Sequence, residues 1–102
     1  MFSSIKKTDP ELAKLVEEET KRQQHTLDLI PSENIVSPAV LEALGSALTN
    51  KYSEGYPKKR YYAGNAIVDD IEVLAQERAR KVFHLNKNWH VNVQAYSGSP
   101  AN

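Results

Sequence analysis

The sequence predicts a mostly helical chain with one or two short strands, and one that is incomplete as a fold. Three observations lead there. Three segments space their apolar residues along one helical face or open on a helix cap. A single segment, "HVNVQAY" (90–96), alternates apolar and polar residues as a strand does. That strand runs into "SGSPAN", where Ser99 caps and Pro100 opens a helix that the sequence does not continue. A lone strand has unpaired backbone groups on both sides. The expectation is the N-terminal fragment of a longer protein.

The first helix is "TDPELAKLVEEETKRQQH" (8–25). It opens either on a capping box of Thr8 and Glu11, or on an Asp9 cap with Pro10 in the first turn. Its apolar stripe is only Leu12, Leu15 and Val16, too thin to build a core alone. The second helix, "SPAVLEALGSALTN" (37–50), has Ser37 as cap and Val40, Leu41, Leu44 and Leu48 as its stripe. The third runs from about Ile67 to Phe83, with Ile67, Ile71, Leu74, Ala75, Ala79 and Val82 on one face. Its acids, Asp69 and Asp70, lie early and its bases, Arg78, Arg80 and Lys81, lie late, which suits the helix dipole.

Composition excludes several classes. The 102 residues suffice for one small domain at most. Lys plus Arg is 13 and Asp plus Glu is 13, a balance that argues against a dedicated binder of nucleic acid or anionic membrane. There is no cysteine, which removes disulfides and thiolate metal sites, and the three histidines show no metal spacing. No apolar run approaches membrane length, and "MFSSIKKTDPELAKL" lacks the apolar core of a secretory signal. The expected location is the cytoplasm.

Three stretches carry candidate chemistry. "YSGSPAN" (96–102) presents a Gly-containing turn at a helix start, with Ser97 and Ser99 as added donors. This suits a phosphate, or is an ordinary cap. "PSEN" (31–34) puts Ser32, Glu33 and Asn34 on a turn, and is equally readable as capping ahead of Ser37. "NKYSEGYPKKRYYAGN" (50–65) has four tyrosines, a Lys-Lys-Arg run and no apolar period, so it reads as a loop turned by Gly55 and Pro57. It is compatible with a nucleic-acid patch, with an enzyme loop that offers Glu54 as acid or base, and with a solvated surface loop. Composition alone favours the last.

Taken in order, "LIPSENIVSPAVLEALGSALTNKYSEGYPKKRYYAGNAIVDDIEVLA" and "VNVQAYSGSPAN" resemble the N-terminal part of the serine hydroxymethyltransferases. The resemblance spans about Leu27 to Asn102. It implies an α/β chain, the opening portion of a fold-type I transferase that uses pyridoxal 5'-phosphate. Residues 1–26 would then be an N-terminal arm helix, and 27–102 the start of the major domain, truncated after the phosphate-binding turn. The implied reaction moves the hydroxymethyl group of serine to tetrahydrofolate, giving glycine and 5,10-methylenetetrahydrofolate.

The resemblance also implies roles. Ser97, Gly98 and Ser99 correspond to the cofactor phosphate cradle, and Ser32 to a residue near the substrate carboxylate. Glu54 corresponds to the catalytic carboxylate that handles the serine hydroxyl proton beside the folate. Tyr52 and Tyr62 correspond to tyrosines reaching the cofactor phosphate and the substrate side of a neighbouring subunit's site, in a homodimer or homotetramer. A buried Glu54 is expected to hold its proton to higher pH. No metal, nucleic acid or membrane is expected. Lys58 and Lys59 replace the family's frequent Gly-Lys, and "AGNAIVDDIE" departs from the common "GGCEYVDVIE". None of the nine lysines matches the family's aldimine lysine, so the chain alone is expected to be inactive. Two other readings stand beside this one. One is a truncated, non-catalytic module that docks on an intact enzyme, and the other is an RNA-binding peptide.

Overall fold

The computed structural model describes residues 2–102, which form two units, one ending at Val36 and one running from Ser37 to Asn102. In the first unit, α1 (Ser3–Thr8) is followed after Asp9 by α2 (Pro10–His25). The Asp9 carboxylate accepts from the Leu12 N–H at 2.9 Å and Pro10 opens the helix, so Asp9 is the cap rather than Thr8, which ends α1. The helices pack on Ala13, 1% exposed, and Lys6 bridges them to Glu17 at 3.5 Å. On the exposed face of α2 the Arg22 guanidinium bonds the Glu19 carboxylate at 2.7 Å and draws its pKa down to about 2. Helix α1 was not expected from sequence, because "FSSIKK" carries neither a capping side-chain bond nor an apolar period.

In the second unit the expected 37–50 helix is two pieces, α3 (Pro38–Leu44) and a 3-10 turn (Ala47–Asn50). The break has a local cause. Gly45 ends the helix, and the hydroxyls of Ser46 and Thr49 donate to the carbonyls of Ala43 and Leu44, each at 2.7 Å. These side chains supply the bonds that the next helical turn would have made. Ser37 occupies the cap position of α3, but its side chain makes no capping bond.

The Tyr-rich segment is a hairpin rather than a loop. Strand β1 (Gly55–Tyr56) pairs antiparallel with β2 (Lys59–Arg60), and Pro57-Lys58 turn the corner. Turn chemistry and side-chain anchors make this pair, which is why no apolar alternation announces it. Gly55 lies at φ 97 and passes within 3.1 Å, measured from an added Cβ, of the Arg60 Cα. A side chain there would overlap the Lys59 carbonyl.

Helix α4 (Ala66–Val82) follows close to the expected range. It ends with His84 in the left-handed region at φ 52. Leu85 N–H bonds Arg80 O at 2.9 Å and His84 N–H bonds Lys81 O at 3.1 Å, the paired bonds of a Schellman termination in which glycine is the usual residue.

The expected strand at 90–96 is corrected: Val91–Ala95 forms no ladder. Alternation selects which side chains share a face, but a strand also needs a neighbour, and the only pair among the described residues is β1–β2. The turn at Ser97 is followed by α5 (Gly98–Ala101), two residues ahead of the predicted start at Pro100. Ala13 is the only buried hydrophobic residue among those described, and the stripes of α3 and α4 stay exposed, Leu44 at 68%.

Candidate active-site segments

Arg60 organises the hairpin. Its side chain is 4% exposed and carries four hydrogen bonds to elements on both sides. Nε donates to Asp69 Oδ1 at 2.8 Å and Nη2 to Glu72 Oε2 at 2.6 Å, which ties the hairpin to two carboxylates one turn apart on α4. Nη1 donates to the carbonyls of Ser53 at 2.7 Å and Gly55 at 2.8 Å. These are the residues on either side of Glu54. A planar guanidinium is the one side chain with enough donors, in a fixed fork, for such a set.

The electrostatics follow from the contacts. The Arg60 guanidinium, with help from the Lys58 N–H at 2.8 Å, holds the Asp69 carboxyl below its ordinary range. The carboxylates of Asp69 and Glu72 in turn raise Arg60 further above its usual value. Lys58 lies at φ 63, a left-handed conformation that its N–H bond to Asp69 helps to hold.

This scaffold presents the predicted residues. Glu54 is exposed at the mouth of the hairpin, and its carbonyl accepts from the Tyr61 N–H at 3.1 Å. The rings of Tyr52 and Tyr62 meet edge to face, with centroids 6.1 Å apart and planes at 89°. Asn65, 5% exposed, donates through Nδ2 to the Tyr62 carbonyl at 2.9 Å and fixes that side of the pair.

The turn before α5 holds the other candidates. Ser97 sits at the cap with extended backbone, and its side chain makes no capping bond. Nothing lies within 4 Å of where a Gly98 side chain would be. The N–H groups of Gly98 and Ser99 are first-turn donors, and Pro100 has none to offer. Two hydroxyls and two N–H groups on an open glycine suit the oxygens of a phosphate.

Ser32 belongs to the first unit, in a turn closed by the Glu33 N–H on Ile30 O at 3.1 Å. Asp28 Oδ1 accepts from the Ile30 N–H at 2.9 Å. The Glu33 carboxyl is pushed above its ordinary range because its protonated form can donate to the neighbouring Asp28 carboxylate, whose like charge also disfavours ionised Glu33.

Comparison with known proteins shows the family. The family model described as serine hydroxymethyltransferase matches residues 5–102. The chain belongs to the serine hydroxymethyltransferase family. It is 54% identical over 101 residues to the cytosolic serine hydroxymethyltransferase of Saccharomyces cerevisiae, an alignment that covers 98% of this chain and 22% of that protein. To the serine hydroxymethyltransferase of Acidothermus cellulolyticus it is 55% identical, with 99% of this chain and 23% of that protein covered. To serine hydroxymethyltransferase 4 of Arabidopsis thaliana it is 56% identical, with 98% and 21% covered. The chain thus spans about a fifth of the length of these relatives. Relatives from Saccharomyces cerevisiae and Neurospora crassa are named cytosolic. Among the described residues no helix is long and apolar enough to cross a membrane, and no group of His, Cys, Asp and Glu is placed to hold a metal ion.

Arg60 is the residue that sequence reasoning missed. A usable signal was present: Asp69 and Glu72, three apart on one helical face, mark a landing site for a cation from the preceding segment.

Proposed function

We propose that this chain is part of a cytoplasmic, pyridoxal 5'-phosphate-dependent enzyme of α/β, fold-type I architecture. Its reaction is the reversible transfer of the serine hydroxymethyl group to tetrahydrofolate, giving glycine and 5,10-methylenetetrahydrofolate. The observation that carries this reading is the 54–56% identity to proteins of that name over nearly all of the chain. When bound, pyridoxal 5'-phosphate supplies the electron-withdrawing ring that makes the bonds at the amino acid's Cα cleavable.

This chain's own residues bind and move protons. The Ser97 and Ser99 hydroxyls, with the N–H groups of Gly98 and Ser99, hold the phosphate. Ser32 lies toward the substrate carboxylate. Glu54 takes up and returns the proton of the serine hydroxyl as the carbon–carbon bond changes. Tyr52 and Tyr62 present phenol O–H groups, Tyr52 toward the phosphate and Tyr62 toward the substrate. The hairpin residues act in the site of a neighbouring subunit of a homodimer or homotetramer. The outward placement of the segment, with Tyr61 79% exposed, supports this, as do the uncovered stripes of α3 and α4.

The test is Glu54→Gln in the full protein that carries this chain. Cofactor absorbance is expected to stay normal, while folate-dependent serine cleavage slows by about 10²- to 10⁴-fold, the usual contribution of a positioned acid or base. Unchanged turnover would remove Glu54 from the mechanism.

A further inference from the structure

Gln94 lies outside every role given above, yet its side chain joins residues 39 positions apart. Its Nε2 donates to the Gly55 carbonyl and to Glu72 Oε1, each at 2.8 Å. Arg60 holds the same two groups from the other side, through Nη1 on Gly55 O and Nη2 on Glu72 Oε2. The four side chains and carbonyls close a ring around the backbone that follows Glu54.

The chemistry demands an amide at this place. Both partners are acceptors, and the two N–H groups of one NH2 meet both at once. The reversed amide would set an oxygen against a carbonyl and a carboxylate, so the partners fix its orientation. A carboxylate in place of the amide would face Glu72 with like charge. The bond to ionised Glu72 is charge-assisted and is stronger than a neutral one. Val91–Ala95 has no ladder bonds, so this amide is what attaches the segment to the hairpin, beside the Tyr56–His90 ring contact at 6.5 Å. Three residues after Gln94 comes Ser97.

We propose that Gln94 is a positioning residue for hydroxymethyl transfer: it acts through the Gly55 carbonyl to hold Glu54, and it fixes the hairpin to the segment that enters the Ser97–Ser99 turn. The inference rests on the role given to Glu54 under Proposed function.

The experiment compares Gln94→Leu, Glu54→Gln and the double variant in the full protein. Gln94→Leu removes both bonds and slows folate-dependent serine cleavage by about three- to tenfold, the range of the one neutral bond, to the Gly55 carbonyl, through which it holds Glu54. In the Glu54→Gln background it has no further effect, because the group it positions is gone. Hydrogen exchange over residues 54–62, which contain the Tyr61 N–H bonded to the Glu54 carbonyl, speeds up in Gln94→Leu. Losses that multiply in the double variant, or unchanged exchange, overturn the inference and leave the role of Glu54 standing. A Glu54→Gln variant with normal turnover overturns both. Gln94→Asn, whose amide is one carbon too short to reach both acceptors, carries the same comparison if the leucine variant does not fold.

Discussion

Arg60 and Asp69 face each other at 2.8 Å, guanidinium to carboxylate, with 4% and 15% of their side chains exposed. This contact fastens the hairpin to the first turns of α4, and the bonds from the same guanidinium to Ser53 and Gly55 fasten it on both sides of Glu54. Arg60→Lys keeps the charge but sets three donors on one nitrogen against four spread acceptors. It is expected to slow the hydroxymethyl transfer proposed for Glu54 by about ten- to a hundredfold, by misplacement rather than by lost charge. Steady-state kinetics beside a cofactor titration checks this, since affinity for pyridoxal 5'-phosphate should change far less than turnover.

The same pair sets an acid limit. Arg60 lowers the folded-state pKa of Asp69, so the unfolded chain binds the proton more readily. The stabilisation is therefore complete above about pH 4, the ordinary aspartate value. It is lost as pH falls through the lower, folded value. Hydrogen exchange of the Lys58 amide, followed as the protein is acidified, should rise in that window relative to unperturbed amides. Asp69→Asn should abolish the pH dependence.

Gly55→Ala puts a methyl group onto the Lys59 carbonyl at φ 97. Strain at such a position costs about 1–3 kcal/mol, and the overlap adds to it. The hairpin is expected to shift register or open. Thermal unfolding should show the loss of stability, and the Tyr52–Tyr62 edge-to-face contact should disappear from aromatic ring-current shifts.

Lys58→Gly should act in the opposite direction. A left-handed lysine carries about 1–2 kcal/mol of strain, and glycine returns about 0.4–1 kcal/mol of that through the freer unfolded chain. A gain of up to about 1.6 kcal/mol follows from the difference. The Lys58 N–H bond to Asp69 is retained because it belongs to the backbone. Chemical denaturation of the two proteins side by side measures the gain, and a loss would show that the lysine side chain contributes more than its backbone costs.

The helices were legible where local chemistry decides them. Asp9-Pro10 announces the start of α2, and the stripe from Ile67 to Val82 announces α4. The motifs around Glu54 and Ser97–Ser99 were legible as a family resemblance, and the family match supports that resemblance. Other features depend on partners that no period records. The break after Leu44 rests on two hydroxyls that find two carbonyls. The hairpin rests on Arg60 reaching α4, a contact set by the turn at Pro57-Lys58 rather than by apolar spacing. Val91, Val93 and Ala95 alternate as a strand requires, but pairing is a property of two segments and cannot be read from one.

The partners of Arg60 are near in sequence: Gly55 is 5 positions away, Ser53 is 7, Asp69 is 9 and Glu72 is 12. Loops of about ten residues close in 10–100 ns, and residues emerge during synthesis at about 5–20 per second. The hairpin can therefore close on α4 as soon as Glu72 has left the ribosome, long before the bond from Gln94 has a donor to supply. The chain sets the geometry around Glu54 first and attaches the segment that leads to Ser97 afterwards. Pulse-labelled amides of Lys58 and Tyr61 on stalled nascent chains should be protected once Glu72 has emerged and before Gln94 has.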